Sequence, residues 1–121
     1  MDKVDIRDAF TRFDEHWRPR IVGEVNGSKV QISKFTGEFV WHSHPESDDF
    51  FYVVKGRIEI DFRDRDPVAL DEGDLLIIPA GVEHRPRADE EAWILNIALA
   101  GTVNTGDNAD PGAYRAPEQT L

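Results

Sequence analysis

From Arg20 to Leu99 the chain breaks into short runs of strand-forming residues, each closed by turn residues, a pattern that fits antiparallel β-structure. Ile21, Val22 and Val25 lead into Asn26-Gly27, a strong two-residue hairpin signal, and Val30 and Ile32 resume at period two beyond it. Phe39 to His44, Asp49 to Val54, Arg57 to Phe62, Leu75 to Ile78 and Ala92 to Leu99 read as further strands. Lys55-Gly56 turns the chain between two of them, and Arg63-Asp64-Arg65-Asp66-Pro67 forms a charged loop. Many short strands with almost no helix imply an all-β sandwich or barrel. Ahead of them, residues 5 to 13 set Ile6, Phe10 and Phe13 at helical spacing, which predicts a short amphipathic helix whose apolar stripe caps the barrel. Residues 101–121 turn to Gly, Asn, Asp and Pro without a period, a tail that either wraps the barrel or stays mobile. The expected organisation is a single domain: an N-terminal helical segment over 1–19, a β-barrel over 20–100 and an irregular tail over 101–121.

Two glycine-framed blocks inside this pattern carry chemistry. The first is Gly37-x4-His42-x-His44-x4-Asp49-x6-Gly56, and the second is Gly73-x5-Pro79-x-Gly81-x2-His84. Side chains alternate faces along a strand, so His42 and His44 are expected to point the same way, about 7 Å apart. Proline fixes φ and glycine permits a positive φ, so Pro79-Ala80-Gly81 reads as a turn that returns the chain to a strand at His84. A third imidazole then faces the first pair. Imidazole and carboxylate suit divalent first-row ions, and a chain with no cysteine offers no thiolate site. Asp49 is the candidate carboxylate ligand, with Asp48 as the alternative.

The two blocks resemble the paired motifs of the cupin superfamily, in which a His-x-His pair and an acidic residue are followed by a Pro-x-Gly-x2-His turn. Sixteen residues separate Gly56 from Gly73, similar to the spacing of small single-domain bacterial members of the mannose-6-phosphate isomerase-like type. Asp49 stands where the family usually has glutamate, and Ala88 where it has asparagine. The resemblance spans Gly37 to Ala88. It implies a double-stranded β-helix, the jelly-roll barrel of the cupins, and one divalent ion (zinc, iron, manganese or nickel) held by His42, His44, Asp49 and His84. It also implies a homodimer, in which pairing would protect the edge strand from Arg20 to Val25.

Charge narrows the partners. Fourteen basic against twenty-four acidic residues give a net charge of −10, which disfavours nucleic acid and anionic membranes and leaves a small-molecule ligand. No apolar run approaches the ~20 residues of a membrane-spanning helix, and Met1-Asp2-Lys3-Val4-Asp5 lacks the basic, apolar start of a secretory signal, so a cytoplasmic location is expected. Neither a Ser-His-Asp arrangement nor a glycine-rich phosphate loop offers another mechanism, which puts any reaction at the metal. The expected function is a metal-dependent isomerase, dioxygenase or lyase acting on a small polar metabolite. The alternative is a non-catalytic module that binds a sugar, a hydroxy acid or a structural ion. Tyr52 is the candidate for a catalytic hydroxyl. Arg85 and Arg87 are expected to pair with Asp89, Glu90 and Glu91, or else to flank the pocket mouth. Glu83 is expected on the face opposite His84.

Overall fold

The computed structural model describes residues 1–121. One short helix, α1 (Ile6–Phe10), precedes seven strands: β1 (Arg20–Val25), β2 (Ser28–Glu38), β3 (Asp49–Lys55), β4 (Arg57–Phe62), β5 (Val68–Asp71), β6 (Leu75–Ile78) and β7 (His84–Leu99). All pairings among the seven strands are antiparallel, in the order β1-β2-β7-β3-β6, with β4 pairing β5 and β7. The sixteen residues of β7 are the spine of the molecule. The first half of β7 pairs with β4, Phe62 opposite His84 and Glu59 opposite Arg87. Its second half pairs with β3, Tyr52 opposite Leu95, and β2 runs beside both halves, from Glu38 opposite Arg87 to Ser28 opposite Leu99. The result is the double-stranded β-helix that the resemblance of the two blocks implied.

Period-two alternation selects the core. Along β3 Asp49, Phe51 and Val53 are buried while Phe50, Tyr52 and Val54 are half-buried. Phe51 and Val53 join Phe35, Ile58, Ile60 and Ile94 in the main apolar cluster, to which Trp17 and Phe39 also belong. A second, smaller cluster forms outside the barrel. Ile32 and Leu95, cross-strand partners on the opposite face from Gln31 and Ser33, receive Ala9, Phe10 and Phe13 there, and Phe10 stacks on Trp93 at 4.7 Å. The helix and Phe13 therefore cover the outer face of the β2–β7 sheet and do not cap a barrel end, because those are the apolar side chains alternation leaves outside.

Several local expectations are corrected. The helix is five residues long, capped by Asp5, whose carboxylate accepts from the Asp8 N–H at 3.1 Å. Residues 39 to 44 do not form a strand: only His42 is bridged, its N–H donating to the His84 carbonyl at 3.0 Å and the His84 N–H returning to the His42 carbonyl at 2.9 Å. Val68–Asp71 is a strand that the charged loop before it concealed. The acidic run Asp89-Glu90-Glu91 lies inside β7 and does not interrupt it, because all three side chains reach solvent. The tail docks onto the barrel. Its end pairs with the edge strand, the Ile21 N–H donating to the Gln119 carbonyl at 2.8 Å and the Leu121 N–H to the Ile21 carbonyl at 3.1 Å. At Ile21 the protection expected from a second copy is thus supplied by the chain itself.

Candidate metal centre

Four side chains converge where the second half of the barrel begins. Asp49 is the first residue of β3 and His84 the first of β7, while His42 and His44 lie on the irregular stretch after β2. Gly81, at φ +83°, makes the turn after Pro79, and its N–H donates to the His44 carbonyl at 3.0 Å. That bond and the His42–His84 bridge hold the two blocks side by side. One ligand-type atom from each of His42, His44, Asp49 and His84 lies within 4.8 Å of the others. Ligands 2.0–2.2 Å from one ion are at most about 4.4 Å apart, so the present spacing needs only a few tenths of an ångström of closure. With three imidazoles, one carboxylate and no thiolate, the residues fit a divalent first-row ion.

The hydrogen bonds also prepare the nitrogens. His42 Nδ1 lies 3.0 Å from the Val40 carbonyl and His84 Nδ1 lies 2.8 Å from the Val82 carbonyl. A carbonyl only accepts, so each Nδ1 carries a proton, and Nε2 is the nitrogen left to meet an ion. His84 Nε2 is 2.9 Å and His44 Nε2 3.3 Å from Asp49 Oδ2. Burial by itself would raise the Asp49 carboxyl, but the bonds from His44 and His84 outweigh it and hold the group well below the usual carboxylate range. His42 moves in the other direction. Burial, reinforced by the neighbouring His84, pushes its imidazole down to about 4 against the pull of the Val40 carbonyl.

The His42 shift predicts a pH dependence in metal-free protein. Between pH 6.5 and about 4 the unfolded chain takes up a proton at His42 that the folded chain refuses, so stability falls with falling pH across that window. The full effect is on the order of 3 kcal/mol. Asp49 works in a lower range, since a depressed carboxyl loses its contribution only below its unfolded value near 3.8. Urea melts of chelated wild type and His42→Asn between about pH 7 and 4.5 check this; equal slopes in the two proteins would contradict it.

Three of the four, His42, His44 and Asp49, line a cavity of about 550 Å³, its open mouth included. Trp17, Phe35, Phe39 and Phe51 form the aromatic wall, and Gln31, Ser33 and Asn96 form a polar one. Gln31 and Asn96 sit directly opposite on β2 and β7. The Asn96 Oδ1 is buried without a hydrogen-bond partner. These residues belong to no motif; the visible signal was Gln31 and Ser33 sharing one face of a strand with Phe35. Asp48, the alternative carboxylate, is exposed and accepts from the Ala80 N–H at 3.0 Å.

Other expected site residues lie elsewhere. Tyr52 occupies the face of β3 opposite Asp49 and Phe51 and is not among the residues lining the cavity, a consequence of the same alternation that turns Asp49 inward. Arg85 and Arg87 pair with Asp61, Glu38 and Glu59, across the strand rather than along it, and not with Asp89 to Glu91. Arg85 and Arg63 also lie over the Trp41 ring. Glu83 is taken by Arg63 on the surface. No helix is long and apolar enough to cross a membrane.

Comparison with known proteins adds to this geometry. The Cupin_2 model, described as a cupin domain, matches residues 29–97. YdbB of Bacillus subtilis is 45% identical over 67 residues, covering 55% of this chain and 59% of that protein. An acireductone dioxygenase of Tuber melanosporum is 29% identical over 107 residues, covering 80% of this chain and 58% of the relative. The chain thus spans a little under three fifths of the length of these two relatives. Among solved structures, a cupin-2 domain protein from Shewanella frigidimarina superposes with a TM-score of 0.77 at 41% identity, covering 79% of this chain and 93% of that one.

Proposed function

Because the chain belongs to the Cupin_2 domain family, we propose that it is a metal-dependent enzyme acting on a small polar metabolite in the cavity beside His42, His44, Asp49 and His84. The observation that carries this reading is the convergence of three imidazoles and one carboxylate, three of the four lining a cavity that Gln31, Ser33 and Asn96 also line. A divalent ion held by those four residues would supply Lewis-acid polarisation of a substrate oxygen or, if redox-active, oxygen chemistry.

The chain's own residues account for the rest. The Val40 and Val82 carbonyls set the ring orientation of His42 and His84. Phe39 and Phe51 pack edge-on to His42 and His84 at 5.3 and 6.0 Å, so the imidazoles are backed by apolar surface and not by water. At the other wall the Gln31 and Asn96 carboxamides offer both donors and acceptors, and an unpartnered buried amide oxygen costs about 1–3 kcal/mol that a hydroxyl-bearing ligand would recover. Similarity to an acireductone dioxygenase supports an oxygenase-type over an isomerase-type reaction.

The test is to load the chain with zinc, iron, manganese or nickel, measure bound metal, and then screen hydroxy acids, sugars and enediols for product in air and under nitrogen. About one ion per chain and metal-dependent product formation is the expected result. Ligand binding that raises the melting temperature without product would assign the chain instead to a non-catalytic binding module. No stoichiometric metal with any of the four ions would overturn the reading.

A further inference from the structure

Two of the four cluster residues, His42 and His44, lie on a stretch that is not part of a regular strand, so something other than a β-ladder has to hold it. On one side the stretch has the bridge from His42 to His84 and the bond from Gly81 to His44. On its other side it has the C-terminal tail. Ser43, between the two histidines, is engaged three times by one residue. Its N–H donates to Asp107 Oδ1 at 2.7 Å, its hydroxyl to Asp107 Oδ2 at 2.8 Å, and its carbonyl accepts from the Asp107 N–H at 3.0 Å. Next to it, Asn108 Nδ2 donates to the Trp41 carbonyl at 2.7 Å. Gly106 is pressed so closely that a Cβ there would come within 2.1 Å of the Ser43 carbonyl oxygen. The tail is itself tied down, with Asn104 Nδ2 donating to the Trp17 and Tyr114 carbonyls and its Oδ1 accepting from the Ala116 N–H.

We propose that Asp107 is a positioning residue for the metal centre: by binding the backbone and hydroxyl of Ser43 it fixes the direction of His42 and His44, so that cation binding and docking of residues 104–108 are thermodynamically linked. This rests on the metal-dependent reading above. A residue that fixes the ligands without touching the ion is worth 10- to 100-fold in metal affinity, and linkage is reciprocal, so bound metal tightens the tail by the same factor.

The experiment uses the full chain as wild type, Asp107→Ala, Asp107→Asn and Ser43→Ala. Zinc affinity is measured by chelator competition, the cobalt complex by its visible spectrum, and backbone mobility by hydrogen exchange with and without zinc. Asp107→Ala is expected to weaken zinc binding about 10- to 100-fold and alter the cobalt spectrum. Asp107→Asn can still accept from the Ser43 N–H and donate to its hydroxyl, so it is expected within about threefold of wild type. Ser43→Ala loses the hydroxyl contact alone and should fall between them, which keeps the question answerable if Asp107→Ala does not fold. In wild type, zinc should slow exchange over 104–108. Zinc affinity and exchange over 41–44 unchanged in Asp107→Ala or, if that variant is unfolded, in Ser43→Ala, would overturn the inference. Wild type that binds neither ion would sink the metal reading and the linkage with it, whereas metal that binds equally to all four proteins sinks the linkage alone.

Discussion

Replacing His42 and His84 together by alanine is expected to leave a folded chain that holds no stoichiometric divalent ion. Structural sites of four protein ligands bind zinc with about 10–16 kcal/mol, so losing two ligands removes on the order of 5–8 kcal/mol, or about four to six orders of magnitude in affinity. His44 and Asp49 alone make a weak site. The barrel should survive, because both imidazoles belong to the polar cluster at the end of β2 and the start of β7 and not to the main apolar core. Elemental analysis after dialysis reads the loss directly. Thermal melts with and without chelator read it again, since an ion that binds only the native state stabilises in proportion to its affinity. Wild type should melt lower after chelation, and the double variant should not respond. One ion per chain in the variant would place the metal elsewhere.

The second large effect is expected at Trp17. Its ring stacks between Phe35 at 4.2 Å and Phe39 at 4.8 Å, and its indole N–H donates to the Thr36 carbonyl at 2.9 Å. It is 7% exposed and adopts a positive φ of 62°, a conformation that packing has to impose on a side chain this large. Trp17→Ala should cost about 3–5 kcal/mol, a large share of the 5–15 kcal/mol available to a domain. It also removes one wall of the cavity and loosens the Phe39 end of the stretch that carries His42. Trp17→Phe keeps an aromatic ring in the stack and leaves the Thr36 carbonyl without its donor, which costs about 1–3 kcal/mol. Urea unfolding of the two variants separates packing from hydrogen bonding. An alanine variant within about 1 kcal/mol of wild type would mean that the stack contributes little.

Sequence by itself located β1, the start of β2, β3, β4, β6 and the second half of β7, because runs of strand-forming residues closed by turn residues are read from neighbouring residues alone. The two blocks also pointed to His42, His44 and His84 with Asp49 or Asp48 beside them; the structure brings Asp49 into the cluster and leaves Asp48 exposed. Tertiary structure alone decided how those side chains are held. Whether residues 39 to 44 form a strand depends on what lies beside them, and there the neighbour is Asp107, 64 positions from Ser43. The same holds for α1, whose stripe follows from spacing while its seat on Ile32, Trp93 and Leu95 follows from which sheet face the barrel leaves uncovered. It holds for Asn96 as well, whose unpartnered oxygen becomes notable only once β7 has placed it opposite Gln31 in the cavity. Period and turn chemistry are written within a few residues; the partners of an irregular segment are set by contacts distant in sequence, which no local pattern encodes.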